Sequence, residues 1–165
     1  MWTWVILVLT LAAQAAAPAK SGTIAGKIAP AEGLKLSRRA QVVLLSPEYI
    51  EMWNTDVQER MDNYWERYKP TFIQQKELYR EVAKMAYRDS FNWIVAQMQR
   101  NNRLRTADLI RETSGDGKFE FTNVPPARYR VLALGRIGVE EILWQESVEL
   151  TGSVPLYVEL KKTLP

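Results

Sequence analysis

The feature that most constrains this sequence is a change of hydrophobic period in the middle of the chain. Before residue 46 and after residue 106, apolar residues alternate with polar ones, which is the pattern of half-buried strands. From Pro47 to about Asn101, apolar residues instead recur every three or four positions, which is typical of amphipathic helices. We therefore expect a mainly β protein whose strands are interrupted by a helical insertion.

Seven short segments have strand character: residues 23–28, 40–45, 107–112, 118–121, 129–134, 143–150 and 154–160. Frequent Gly, Pro and Asp turn signals separate them, and about seven short strands spaced in this way are typical of a β-sandwich. The connection between the second and third strands would be about 60 residues long, whereas connections in compact domains are usually about 2–6 residues. We therefore interpret residues 47–106 as an insertion into a domain made of residues 21–46 and 107–162.

Two antiparallel helices fit the insertion. Ser46 followed by Pro47 is a favourable helix start. Lys69-Pro70 is expected to end the first helix, and Thr71 is expected to cap the second, because hydroxyl-then-Gln spacing is typical of a capping box. The first helix is rich in carboxylates and the second in basic residues, which favours a hairpin. The expected apolar faces contain Ile50, Trp53, Val57, Met61, Tyr64 and Tyr68 in the first helix, and Phe72, Tyr79, Val82, Ala86, Trp93 and Ile94 in the second.

The sequence contains no Cys and no His. Without Cys there can be no disulfide framework and no thiolate-bound metal, and without His the commonest metal ligand and general base near neutral pH is missing. We therefore expect no cofactor, no metal and no enzymatic activity. The net charge is only +3 and the charges are interspersed, so a nucleic-acid partner is not expected either.

Residues 1–15 are interpreted as a signal peptide. The apolar stretch from Val5 to Ala13 is too short to span a bilayer core of about 30 Å. Ala13 and Ala15 are small residues at the spacing that a signal peptidase requires, which places the cut before Ala16. The first four residues carry no Lys or Arg, so the alternatives are a true start that lies upstream, a retained short anchor or, last, a buried core helix. We expect export to the periplasm or the extracellular space, with membrane contact only through this segment.

The stretch TSGDGKFEFTNVPPARYRV, residues 113–131, resembles the carboxypeptidase regulatory-like domain. The resemblance covers residues 21–46 and 107–162, and it departs at Ala127, where that family usually has glycine. It implies a seven-stranded transthyretin-like β-sandwich, here interrupted by the helical hairpin between strands two and three. It also implies a scaffold rather than an enzyme. Phe119, Phe121 and Tyr129 would enter the core, and Asp116 would serve the turn rather than a calcium ion.

The leading functional hypothesis is an envelope or extracellular interaction module that binds a protein partner, or a second copy of itself, through the hairpin. Aromatic residues are enriched at binding hot spots, and the insertion is rich in them. The candidate partner-binding residues are Trp53, Trp65, Tyr68 and Trp93. The alternative interpretation of each ring is that it packs the two helices together and against the sheet.

A second hypothesis is carbohydrate binding by the sandwich surface. Trp144 and Tyr157 are its candidate aromatics, although both lie in strand patterns that suit burial. An enzyme that uses the carboxylates of Glu140 and Glu141 is the third hypothesis, and adjacent residues usually face apart. The exposure of Trp144 relative to that of Trp65 discriminates between the hypotheses. An exposed Trp144 would favour a sugar, and exposed aromatics on the helices would favour a protein partner.

Overall fold

A computed structural model describes residues 21–72, 77–101, 109–161 and 163–164 of the chain. The structure is mainly β with two helices, as the hydrophobic period predicts, and the seven expected strands are present. In chain order the elements are β1 (Gly22–Ile28), β2 (Gln41–Leu45), α1 (Pro47–Phe72), α2 (Glu77–Arg100), β3 (Ile110–Glu112), β4 (Lys118–Val124), β5 (Ala127–Ile137), β6 (Glu140–Leu150) and β7 (Leu156–Leu160).

The strands form two sheets. A three-stranded sheet has the order β4-β1-β7, and a four-stranded sheet has the order β3-β2-β5-β6. Strand β1 pairs antiparallel with β4 and parallel with β7. The longest pairing joins β5 and β6 from Ala127↔Leu150 to Ile137↔Glu140, and Gly138 turns this hairpin with a φ of 61°. A positive φ is favourable for glycine, which has no Cβ.

The first hydrophobic core lies between the two sheets. In a strand, successive side chains point to opposite faces of the sheet. Every second side chain of β1, β4 and β7 therefore points inwards, where it meets inward-pointing side chains of β2, β5 and β6. The rings of Phe119, Phe121 and Tyr129 all lie in this cluster, as predicted. The Tyr129 hydroxyl donates a hydrogen bond of 2.8 Å to the Pro125 carbonyl, which satisfies its one polar atom.

The second hydrophobic core lies between the helices and the other face of the four-stranded sheet. Val43 and Leu45 of β2 point into it, whereas Val42 and Leu44 point into the first core. The apolar run of β2 therefore has a physical cause, because this strand is covered on both faces. The remaining buried members of the second core are Tyr49, Trp53, Phe91, Ile94, Val95, Met98, Leu132 and Leu143.

The expected helix boundary at Lys69-Pro70 is wrong. Helix α1 continues through Pro70 to Phe72, and Thr71 lies in its last turn rather than at the start of the second helix. Pro70 has no N–H to bond to the Glu66 carbonyl, yet the helix continues for only two residues beyond it, so the proline lies close to the helix end without setting the boundary. Residues 73–76 lie outside the described part of the chain, and α2 begins at Glu77.

Residues 1–15, the predicted signal peptide, also lie outside the described residues. Neither α1 nor α2, the two described helices, is both long and apolar enough to cross a bilayer. The division into residues 21–46 with 107–162 and the insertion 47–106 stays a prediction. Within the described ranges, both parts contribute side chains to the second core.

Candidate functional site

Helices α1 and α2 lie antiparallel, because the start of α1 contacts the end of α2 and the end of α1 contacts the start of α2. Near the sheet, the Asn101 side-chain amide donates a hydrogen bond of 3.1 Å to the Tyr49 hydroxyl. Far from that point in both helices, the rings of Trp65 and Tyr79 meet edge to face, with centroids 6.1 Å apart. On the sheet side, Arg130 of β5 donates a hydrogen bond of 2.7 Å to the Asn54 side-chain carbonyl. One end of the helix pair is therefore fastened to the sheet.

The structure places two of the four candidate partner-binding residues in or against the second core. Trp53 is only 2% exposed, and its ring lies 6.2 Å from that of Tyr87. Trp93 is partly buried and packs against the same cluster. The burial of Trp53 follows from its position three to four residues after Tyr49 and Ile50, on the side of α1 that faces the sheet. Trp53 presents almost no surface to a partner, so its visible role is packing.

The other two candidates lie at the far end of the helix pair and are exposed. Trp65 is 39% exposed and Tyr68 is 37% exposed. Tyr79 of α2, which the helical period placed on the apolar face, is 52% exposed and contacts Trp65. We call these three rings the distal aromatic surface. In this surface Trp65 of α1 contacts Tyr79 of α2, 14 positions later in the sequence. The hydrophobic period of one helix cannot predict such a contact between two helices.

A hydrogen bond between α1 and α2 lies next to this surface. The Tyr64 hydroxyl donates to an Asp89 carboxylate oxygen over 2.8 Å. This bond, aided by partial burial, raises the pKa of Tyr64 above the ordinary value for tyrosine, because ionisation would place two negative charges together. One turn earlier in α1, the carboxylate of Asp56 holds the Arg60 guanidinium at 2.7 Å and raises its pKa. The Tyr64–Asp89 bond joins the two helices below the exposed rings, whereas the Asp56–Arg60 pair lies within α1.

A groove with a volume of about 710 Å³ runs between α2 and the β5–β6 hairpin. Lys84 bridges it with an ion pair of 2.9 Å to Glu140, and Arg136 pairs with Glu141 over 3.2 Å. Arg88 lies 3.9 Å from Glu141. Lys84 and Arg88 of α2 therefore pair with β6 and with carboxylates of α2 itself, although the basic charge of this helix had been expected to favour the contact with α1. The floor of the groove is apolar and includes Met85, Leu134, Ile142 and Leu164.

Glu140 and Glu141, the carboxylates considered for an enzyme, are the first two residues of β6. Both are held by the cations that line this groove. Their observed contacts therefore give them a structural role, in which they fasten β6 to α2 and to β5. Because these pairs are exposed to solvent, each contributes little to the stability of the fold.

The two sugar-binding candidates have opposite environments. Trp144 is 1% exposed and lies in the first core, as its strand pattern predicted. Tyr157 is 61% exposed, so the expectation that it is buried is wrong. The reason is strand alternation: Val158 and Leu160 are buried, which leaves Tyr157 and Glu159 on the outward face of β7. A recess of about 380 Å³ lies beside the tyrosine.

The turn before β4 holds Asp116 as an ordinary turn residue. Its carboxylate accepts a hydrogen bond from the Ser114 hydroxyl over 2.5 Å and pairs with Lys118 over 2.6 Å. The Lys118 ammonium, with help from Ser114, holds the pKa of Asp116 well below its usual range. Gly117 closes the turn with a φ of 82°. In the described part of the chain, no group of three or more acidic, His or Cys residues could hold a metal ion.

Comparisons with known proteins identify no family for this chain. No protein-family model matches the sequence, and no curated protein matches it. A solved structure from Pseudomonas aeruginosa, proposed to be a carbohydrate binding protein, is 14% identical with a TM-score of 0.40, covering 90% of this chain and 92% of that one. The full-length major pilin of Streptococcus pneumoniae is 14% identical with a TM-score of 0.28, covering 85% of this chain and 30% of that one. Both TM-scores are too low for the matches to identify a family or a function.

Proposed function

We propose that this protein is an exported, non-enzymatic interaction module of the cell envelope. In this proposal, the two sheets form a β-sandwich of the carboxypeptidase regulatory-like type, and the helix pair is the insertion that carries the interface. The observation that carries the proposal is the distal aromatic surface, in which Trp65, Tyr68 and Tyr79 stand exposed. Large aromatic side chains lose little conformational entropy on binding and are enriched at hot spots, so they favour a protein interface over a solvated surface.

The order of burial along the hairpin supports this assignment. Rings near the sheet, such as Trp53 and Phe91, are fully covered, as is expected of packing residues. Exposure rises only towards the far end, beyond the Tyr64–Asp89 hydrogen bond. A core that needed these three aromatics would have covered them. The partner is a protein of the envelope or a second copy of this chain.

Site-specific photo-crosslinking in the organism that makes the protein tests the proposal. A photoreactive amino acid at Tyr68 should give a discrete covalent adduct, because the position lies within the proposed interface. The matched control is Thr55, which is exposed on the same helix but outside the distal aromatic surface. An adduct of twice the chain mass would show self-association, and an adduct of another mass would show a different partner. No adduct at Tyr68, or equal adducts at Tyr68 and Thr55, would refute the proposal.

A further inference from the structure

The outward face of the three-stranded sheet carries an aromatic platform beside a recess. Because β1 is the central strand, its Ala25 has Glu120 of β4 on one side and Tyr157 of β7 on the other, all in one cross-strand row. Neighbouring strands lie about 4.8 Å apart, so Glu120 and Tyr157 stand about 10 Å apart across the alanine. The methyl group of Ala25 is too short to fill that space, and the recess of about 380 Å³ results.

The polar groups around this recess are balanced in charge. The next row of the sheet contains Lys118, Lys27 and Glu159. Of these three, Lys118 lines the recess, together with Arg111 and Glu112 of β3, and Lys27 and Glu159 lie one row beyond the lining. Together with Glu120, these side chains supply three positive and three negative charges, so neither an anionic nor a cationic ligand is favoured by net charge. They do supply donors and acceptors at the rim of an apolar surface.

We propose that this face binds a neutral oligosaccharide, with one sugar ring stacked on Tyr157 and its hydroxyl groups bonded to the rim. The tyrosine is 61% exposed, so its ring is open to a flat ligand. The apolar C–H face of a pyranose ring fits the electron-rich face of an aromatic ring, and its equatorial hydroxyls require alternating donors and acceptors. Glu120 supplies acceptors on one side, and the Lys118 ammonium supplies donors. Its ion pair with Asp116 holds that ammonium in place.

The proposal is independent of the hairpin interface. The three-stranded sheet packs against one face of the four-stranded sheet, and the helices pack against the other face. The Tyr157 platform and the distal aromatic surface therefore belong to different layers of the molecule. A change that abolishes sugar binding should leave the hairpin crosslink intact, and the reverse should also hold.

Titration of the purified full chain with maltopentaose and with cellopentaose, followed by amide chemical shifts, tests this inference. We expect shifts confined to the outward face of β1, β4 and β7. Tyr157→Ala should weaken binding at least about tenfold, a change of about 1.4 kcal/mol, while Tyr157→Phe keeps the ring and should stay within about threefold. Ala25→Val should also weaken binding about tenfold by filling the recess, and a β-branched residue suits the outward, half-buried face of a strand.

Trp65→Ala is the control and should bind the oligosaccharides as the parent does. The inference is overturned if neither oligosaccharide shifts the platform amides, or if the shifts map to the groove beside α2. It is also overturned if Tyr157→Ala binds as tightly as the parent. Tighter binding of polygalacturonate than of the neutral oligosaccharides would refute the argument from charge balance. Thermal melting of each variant shows that a loss of binding is not a loss of folding.

Discussion

Truncation of Trp53 to alanine tests the second core, which packs the two helices against the four-stranded sheet. A buried tryptophan removes about 200 Å² of surface from water, which at about 25 cal/mol per Å² corresponds to about 5 kcal/mol. Alanine retains about 1 kcal/mol of this, so we expect Trp53→Ala to lower the free energy of unfolding by about 4 kcal/mol. The side chain is 2% exposed and touches both helices and sheet, so its neighbours cannot easily close the cavity.

Trp65→Ala is the matched control, because it deletes the same side chain at a site that is 39% exposed. Its ring contact, Tyr79, is itself 52% exposed, so the deletion opens the surface instead of leaving an enclosed cavity. We expect a loss of about 1–2 kcal/mol. The measurement is urea denaturation followed by far-UV circular dichroism, since the loss of a tryptophan would distort fluorescence. Equal losses in the two variants, or a smaller loss for Trp53→Ala, would refute the assignment of Trp53 to packing and Trp65 to the surface.

Two further substitutions test the polar contacts. Tyr64→Phe removes the hydrogen bond to Asp89 and should destabilise the protein by about 1 kcal/mol, less than a fully buried bond to a charged group. Folding raises the pKa of Tyr64, so the difference in stability between variant and parent should be present at neutral pH. It should vanish as the pH rises through the raised pKa. A difference in stability that persists above that pKa would contradict the assignment of the hydrogen bond. Asp116→Asn should lower the melting temperature at pH 6, because folding lowers the pKa of Asp116. That difference should be lost as the pH falls from about 4 towards the folded-state pKa, and a difference independent of pH contradicts the assignment.

The sequence predicted the class of structure because hydrophobic period is a local property. The change of period at Pro47 marks the true start of α1, and all seven strands are found near the expected positions. The strand ends were less predictable. Strand β5 extends to Ile137 because it pairs along its whole length with β6, and such pairing depends on a partner that a local pattern does not show.

The candidate site was less predictable, because exposure is decided by neighbours from distant parts of the chain. Trp53 and Trp65 are both tryptophans of one amphipathic helix, yet only Trp53 lies over the sheet. Tyr157 is the opposite case, since the information was present in the sequence. Val158 and Leu160 define the inward positions of β7, and simple alternation from them places the tyrosine outside.

The layered arrangement places the two proposed binding surfaces in different layers, with the four-stranded sheet between them. The four-stranded sheet is covered on both faces, so side chains of β2 such as Val43 and Leu44 point into different cores. The base of the hairpin is held by the second core and by the Arg130–Asn54 hydrogen bond. Its exposed rings are therefore presented on a fixed support, which reduces the entropy that binding must overcome. The Tyr157 platform belongs to the opposite outer layer, where the hydrogen-bonded strands of the sheet hold the tyrosine in place. Because substitutions at well-separated sites act additively, each surface can be removed without the other, and a double variant should lose both activities but keep the fold.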